Sequence, residues 1–364
     1  MNVFEIIQSN LLTPLVLFFV LGIVAARVKS DLRIPEEVSS MLSIYLLAAI
    51  GLHGGIEMKK IGLENIIIPI SVAIGLSVVM TLNHYQILQR LGKFSIFDSY
   101  AIAATYGSVG ATSFSVGLAF LKTHNVQSEG FMAAILAVLE PVSLILCIFL
   151  VNISASKIQR KSESYETKDI VEKIQRQSPN DRPTAIEIGG IRRETSLRQV
   201  LHDTISGKAI VILLGAITIG YIIGEQGFQS IKIGFEDMFF AALVIFLIEM
   251  GIIAGQRLED IRKAGIFLIA FAILVPTLNG IVGVIVSTYL GLSIGGAVMF
   301  GLLLASASFI AAPSVLRTAI KKANPGLYIT SALGITFPFN IIILLPMMFI
   351  LSTMLHSGMM DFFG

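Results

Sequence analysis

Apolar and polar positions alternate along this chain in long blocks rather than at helix-turn or strand spacing. Ten blocks, about 9–26, 38–56, 63–84, 97–121, 130–153, 208–224, 236–255, 264–289, 293–316 and 326–353, are mostly apolar. A helix that crosses a bilayer needs roughly 20 such residues. The pattern predicts an all-α polytopic membrane protein with ten transmembrane helices. Two blocks are interrupted by small and polar residues. The fourth carries Gly107-Ser108-Val109-Gly110-Ala111-Thr112-Ser113, and the ninth carries Ser306-Ala307-Ser308-Phe309-Ile310-Ala311-Ala312-Pro313-Ser314. Glycine weakens a helix, serine and threonine offer its backbone competing bonds, and Pro313 has no N–H. In a membrane such a break survives only where protein or a water-lined cavity satisfies the freed backbone. Both helices are therefore predicted to be broken at a site. The tenth block is long and holds Pro338 and Pro346, so it is expected to bend.

Composition agrees with this pattern. The chain has 364 residues, 55% hydrophobic and 14% charged, against about 25% charged in soluble domains. Its single cysteine, Cys147, excludes an internal disulfide and a cysteine-cluster metal site. The first apolar block has no basic residue before Arg27, so it is expected to be retained rather than cleaved as a signal peptide.

The distribution of charge matters more than the net +2. With the amino terminus outside, 22 of the 26 Lys and Arg fall in inside loops and only Lys59, Lys60, Lys122 and Lys232 outside. The positive-inside rule then places both termini outside and the charged segment 154–207 in the cytoplasm. That segment mixes bases and acids, with a short charged helix expected over Tyr165–Gln177. It reads either as a solvated linker or as a docking surface for a regulator.

An offset of 200 residues relates the two halves. Leu46 to Gly55 pairs with Phe246 to Gly255, Ile61 with Ile261, Ser108 with Ser308, and Glu140 with Asn340. Five blocks per half is an odd number, so the second half enters the membrane from the opposite side. The expected organisation is 1–153 as a first five-helix repeat, 154–207 as a cytoplasmic loop, and 208–364 as a second, inverted five-helix repeat. Inverted repeats with broken helices point to a transporter site at mid-membrane, where the fourth and ninth helices cross.

The chemistry there suits a small anion carried with a cation. Broken helices present amino ends, whose free N–H groups and positive dipole favour anions. Candidate anion-binding residues are Ser108, Gly110, Ala111, Thr112, Ser113, Ser308, Ala311 and Ala312. Candidate cation-binding residues are Glu140, Asn340 and Ser306, with sodium as the coupling ion and freed carbonyls as further ligands. An acidic residue inside a span is costly, so Glu140 is expected to face a cavity or a partner. Glu249 serves equally well as a contact between helices. His53 and the glycines Gly51, Gly54, Gly55, Gly251 and Gly255 read as packing. No zinc-protease, nucleotide-binding or nucleophile-elbow motif is present, so no enzyme is expected. The mixed charge of the loop argues against nucleic-acid binding.

At these motifs the chain resembles the cyanobacterial-type sodium-dependent bicarbonate transporter family (SbtA-like permeases). The likeness rests on Arg33-Ile34-Pro35-Glu36, Gly51-Leu52-His53-Gly54-Gly55, Gly107-Ser108-Val109, Ser306-Ala307-Ser308, Ile310-Ala311-Ala312-Pro313, Ala323-Asn324-Pro325 and Thr336-Phe337-Pro338-Phe339-Asn340. The resemblance implies ten spans in two inverted repeats, a gate and a core domain, and a homotrimer among the lipids of the bacterial inner membrane. It also implies sodium-coupled bicarbonate uptake and inhibition by a PII-like cytoplasmic regulator. The chain departs from the family at Gly110, where serine is usual, at Thr112 and Ser113, and at Phe309, where tyrosine is usual. These departures keep a second reading open: an anion-binding membrane sensor that no longer transports, or a carrier of another small carboxylate.

Overall fold

The structure, a computed structural model, describes residues 8, 10–62, 64–177, 206 and 208–363. Most of the segment 154–207 thus lies outside the described residues, as do the first seven positions. The described chain is helical, without strands. The helices are α1 (Pro14–Arg27), α2 (Glu36–Ile61), α3 (Glu64–Arg90), α4 (Ile96–Gly107), α5 (Ala111–Thr123), α6 (Met132–Gln177), α7 (Lys208–Phe228), α8 (Phe239–Tyr289), α9 (Ile294–Ala305) and α10 (Ala311–Ala319). A final helix, α11, covers Pro325–Gly358.

Seven stretches among the described residues are long and apolar enough to cross a membrane: Glu36–Ile61, Ile66–Arg90, Met132–Ser154, Ile210–Phe228, Ile233–Arg257, Gly265–Tyr289 and Pro325–Gly358. Each coincides with an apolar block of the sequence. The other three blocks take a different form. The first is the 14-residue α1. The fourth is split into α4 and α5, of 12 and 13 residues, and the ninth into α9 and α10, of 12 and 9. α8 has two arms that meet at Gly265, whose φ of +82° suits only glycine; the first ends the span Ile233–Arg257, which opens in a π turn ahead of α8, and the second is Gly265–Tyr289. The expected charged helix over Tyr165–Gln177 is the unbroken continuation of α6. In α11 the helix widens to π geometry over Thr330–Thr336 and Asn340–Leu344, on either side of Pro338. A proline removes a helical donor, and a local π turn is one way to absorb that loss.

Glycines set the closest helix crossings. A Cβ on Gly22 of α1 would strike the backbone of Ile248 and Gly251 in the first arm of α8, and one on Gly251 would strike Phe19. A Cβ on Gly55 of α2 would strike the backbone of Ile217 in α7, and one on Gly220 of α7 would strike Leu52. The two pairs, α1 with α8 and α2 with α7, pack by one device: backbone against backbone, which only small residues permit. The broken helices belong to other neighbours. α4 packs on α3 and α6, while α9 packs on the second arm of α8 and on α11.

Each half-helix that leads into a break is anchored at its amino end. Ser95 caps α4 by accepting from the Asp98 N–H at 3.0 Å, and Ser293 caps α9 by accepting from the Gly296 N–H at 3.0 Å. Asp98 in turn accepts from the Asn324 N–H at 2.7 Å. Glu129 accepts from the Ser293 N–H at 2.6 Å. The half-helices therefore enter the interior at fixed positions, and the breaks meet in register.

Candidate functional site: a small cavity between two broken helices

The two breaks touch, and their backbones are stitched crosswise. The Ser308 N–H donates to the Thr105 carbonyl at 2.9 Å. The Gly110 N–H donates to the Ser306 hydroxyl oxygen at 3.0 Å, and that hydroxyl donates to the Leu303 carbonyl at 2.9 Å. A Cβ on Gly110 would lie 3.0 Å from the Ala307 carbonyl oxygen. The glycine is what lets the chains approach.

The carbonyls freed by the breaks are already engaged. In α4, Gly107 accepts from Ser77 at 3.2 Å, and Ala104, which keeps its helical bond from the Ser108 N–H, also accepts from the Ser143 hydroxyl at 3.0 Å. In α9, Leu304 accepts from the Asn279 amide at 3.2 Å and Ala305 from the Asn340 amide at 2.9 Å. Protein, rather than a bound cation, supplies these partners, so the freed carbonyls are weaker candidates for cation ligands than the sequence suggests.

Between the breaks lies a cavity with about 40 Å³ open to the centre of a water-sized sphere. One water needs roughly 10–15 Å³ on that measure, so the space holds an ion of a few heavy atoms. It is lined by Gly110, Ala111, Thr112 and Ser115 from the first break, Ser308 to Ala311 from the second, and Glu140. Ser43, Leu46 and Leu47 of α2 and Phe246 of α8 close it. Of the sequence candidates, the structure brings Gly110, Ala111, Thr112, Ser308, Ala311 and Glu140 to this wall. Ser108 is buried behind it and donates to the Glu140 carbonyl at 2.8 Å. Ser113 and Ala312 are buried and off the wall. Ser306 and Asn340 are held by the backbone bonds just described. The apolar residues of α2 and α8 were missed as site residues, although the 200-residue repeat already paired Leu46 with Phe246.

The electrostatics are uneven. No side chain caps α5 at Gly110, so its amino end meets the cavity bare. At α10 the Ala312 N–H is taken by the Ser308 hydroxyl at 3.1 Å, and the next residue is Pro313, without an N–H. The positive end that serves an anion is therefore α5. Glu140 is 2% exposed, and its Oε2 has no hydrogen-bond partner. A buried ionised carboxylate without a partner is costly by several kcal/mol, so this wall calls for a cation or a proton. Asn340, the repeat mate of Glu140, likewise leaves its Oδ1 unpartnered. No group of three or more His, Cys, Asp or Glu placed to hold one metal ion occurs among the described residues. The donors present are hydroxyl and carboxylate oxygens, which suit a hard cation.

Glu249 and His53 stand apart from the cavity. Glu249 is buried with its Oε2 unpartnered. His53 packs edge-on to Phe228, with ring centroids 4.7 Å apart, and its Nδ1 lies 2.9 Å from the Ala49 carbonyl. It lines a second, larger cavity of about 990 Å³ that also carries Glu57, Glu129, Glu225, Glu236 and Asp237.

With the geometry in place, comparison with known proteins adds one finding. A family model described as the Na+-dependent bicarbonate transporter superfamily matches residues 14–353, nearly the whole chain. No individual curated protein matches it.

Proposed function

The chain belongs to the Na+-dependent bicarbonate transporter superfamily, and from that premise we propose that it is a secondary transporter that takes up bicarbonate with sodium by alternating access. The cavity between the breaks carries this reading, because it joins a bare helix amino end to an unpartnered carboxylate. The anion sits against Gly110 at Ala111 and Thr112, whose amides and hydroxyl donate to it, the Gly110 N–H being held by Ser306. The cation sits on the Glu140 side. Each ion lowers the cost of placing the other in a dry site, and this is the physical basis of coupling.

Ten spans in two inverted repeats complete the proposal, with α4–α5 and α9–α10 each counted as one broken span. Three features support the inversion. Residue pairs 200 apart, Leu46 with Phe246, Gly110 with Ile310 and Ala111 with Ala311, line the one cavity. Glu140 and Asn340 both carry unpartnered oxygens. The α1–α8 and α2–α7 crossings use equivalent glycines. These two helix pairs form the moving gate around the anchored breaks. The basic end, with Arg257 and Arg317, faces the cytoplasm of a bacterial inner membrane, and both termini lie outside. In the same family reading the protein is a homotrimer that takes a PII-like regulator.

The sensor alternative drew on Gly110 in place of serine. The 3.0 Å approach to Ala307 gives that glycine a packing role, which removes the ground for supposing a lost site. Uptake of labelled bicarbonate into proteoliposomes, with and without an inward sodium gradient, tests the proposal. Sodium-dependent accumulation is expected. Absence of bicarbonate uptake under both conditions overturns it.

A further inference from the structure

We propose that a second anion station lies on the Arg317 side of the cavity between the breaks, and that small anions bind there before or after occupying the central site. It rests on the transport reading above for its role, but not for its existence. A cavity of about 250 Å³ is lined by Arg257 from α8, Ser314 and Arg317 from α10, and apolar residues including Met250 and Leu333. Phe309 and Ile310 line both this cavity and the central one. They are therefore the partition between the two, and an ion crossing there passes directly between the two cavities.

Among the described residues the lining carries two guanidinium groups and no carboxylate. The 990 Å³ cavity differs, with five acidic residues beside Lys122 and His53, and it shares no lining residue with the central site. Clefts of one charge sign with low-dielectric walls concentrate ions of the opposite sign. Guanidinium also matches the planar, two-oxygen face of a carboxylate-like anion, which favours bicarbonate-shaped ions over spherical ones. Arg317 interacts with Tyr328 of α11, which ties the station to that helix. Arg257 comes from the arm of α8 that also supplies Phe246 to the central cavity. A shift of that arm against α10 therefore alters the station and the central site together.

The test uses a single label. Cys147 is buried, so Ser314→Cys gives one accessible thiol for a fluorophore in the full chain in detergent. Quenching by iodide is compared with quenching by neutral acrylamide, with and without Arg317→Gln. The expected result is an iodide-to-acrylamide ratio about two- to threefold higher with Arg317 than with glutamine, a difference that shrinks as ionic strength rises. Arg317→Lys keeps the higher ratio. A ratio that Arg317→Gln leaves unchanged overturns the station. Bicarbonate uptake by the unmutated chain, run in parallel, separates the two proposals. Loss of iodide enrichment in a chain that moves no bicarbonate keeps the anion station and sinks the transport reading. Uptake with enrichment insensitive to Arg317 does the opposite.

Discussion

The two breaks have the same parts and different electrostatics. Both follow a 12-residue half-helix capped by serine, at Ser95 and Ser293. Both have their freed carbonyls filled by side chains from neighbouring helices. They differ at the amino end of the second half-helix. α5 starts bare at Gly110, whereas α10 starts with one amide held by Ser308 and the next donor deleted by Pro313. They differ again at the residue set behind them, a carboxylate at Glu140 and an amide at Asn340. Two breaks of like construction thus differ in polarity. The first break offers a donor end and a negative charge, while the second offers shape and one hydroxyl. An anion and a cation need different walls, and a strictly symmetric site would give each ion two half-suited places.

The largest effect that sharpens this comparison is Glu140→Gln. A charge about 4 Å away is worth about 4 kcal/mol at an effective dielectric of 20, close to a thousandfold in sodium affinity. Sodium dependence of uptake should disappear. Stability in detergent should hold or rise, because the unpartnered buried charge is gone. Loss of stability together with sodium dependence unchanged would show that Glu140 is a structural group.

Thr112→Val comes next. It keeps the shape and removes one hydroxyl from the cavity wall. A hydrogen bond to a charged group is worth about 1.5–3 kcal/mol, so the apparent affinity for bicarbonate should fall about 10- to 100-fold with expression unchanged. The matching change in the second break, Ser308→Ala, should cost less, since it releases the Ala312 N–H that the hydroxyl holds as a replacement donor. Equal losses would break the comparison.

A third test addresses scaffolding. Asn340→Ala leaves the Ala305 carbonyl buried without its side-chain donor, at about 1–3 kcal/mol. Ser143→Ala should cost less, because the Ala104 carbonyl also accepts from the Ser108 N–H at 3.0 Å. Thermal unfolding of the two variants in one detergent measures the difference. Equal destabilisation would mean that the side-chain donors at the two breaks contribute alike.

Much of this was legible in the sequence because hydrophobic blocks, glycines and prolines are local signals. The seven long spans, the two breaks and the irregular helix around Pro338 in α11 follow from residue type and spacing. The bias of the site towards α5 was half legible: Pro313 shows a missing donor, but the Ser308 bond to Ala312 depends on the backbone path. Ser77, Ser143 and Asn279, which fill the freed carbonyls, could not be found in this way. Each sits inside an unremarkable apolar block, and only packing brings it to a break. Leu46 and Phe246 were visible as a repeat pair, but nothing in two apolar residues says that they close a cavity. In the 154–207 segment the charge and the helical stretch over Tyr165–Gln177 were legible.

Pro313→Ala is the smallest expected effect and the most direct probe of the asymmetry. It restores a third N–H to the first turn of α10, the position where proline is tolerated because the amide lacks a helical acceptor. Pro313 lines the larger cavity beside Arg317 rather than the central one. The new donor therefore appears on the wrong side of the Phe309–Ile310 partition for the central anion. Bicarbonate affinity measured by sodium-driven uptake should change by less than about threefold, under 1 kcal/mol. A gain of tenfold or more would mean that the amino end of α10 also reaches the anion. The site would then be held by two donor ends, and the polarity drawn between the breaks would be wrong.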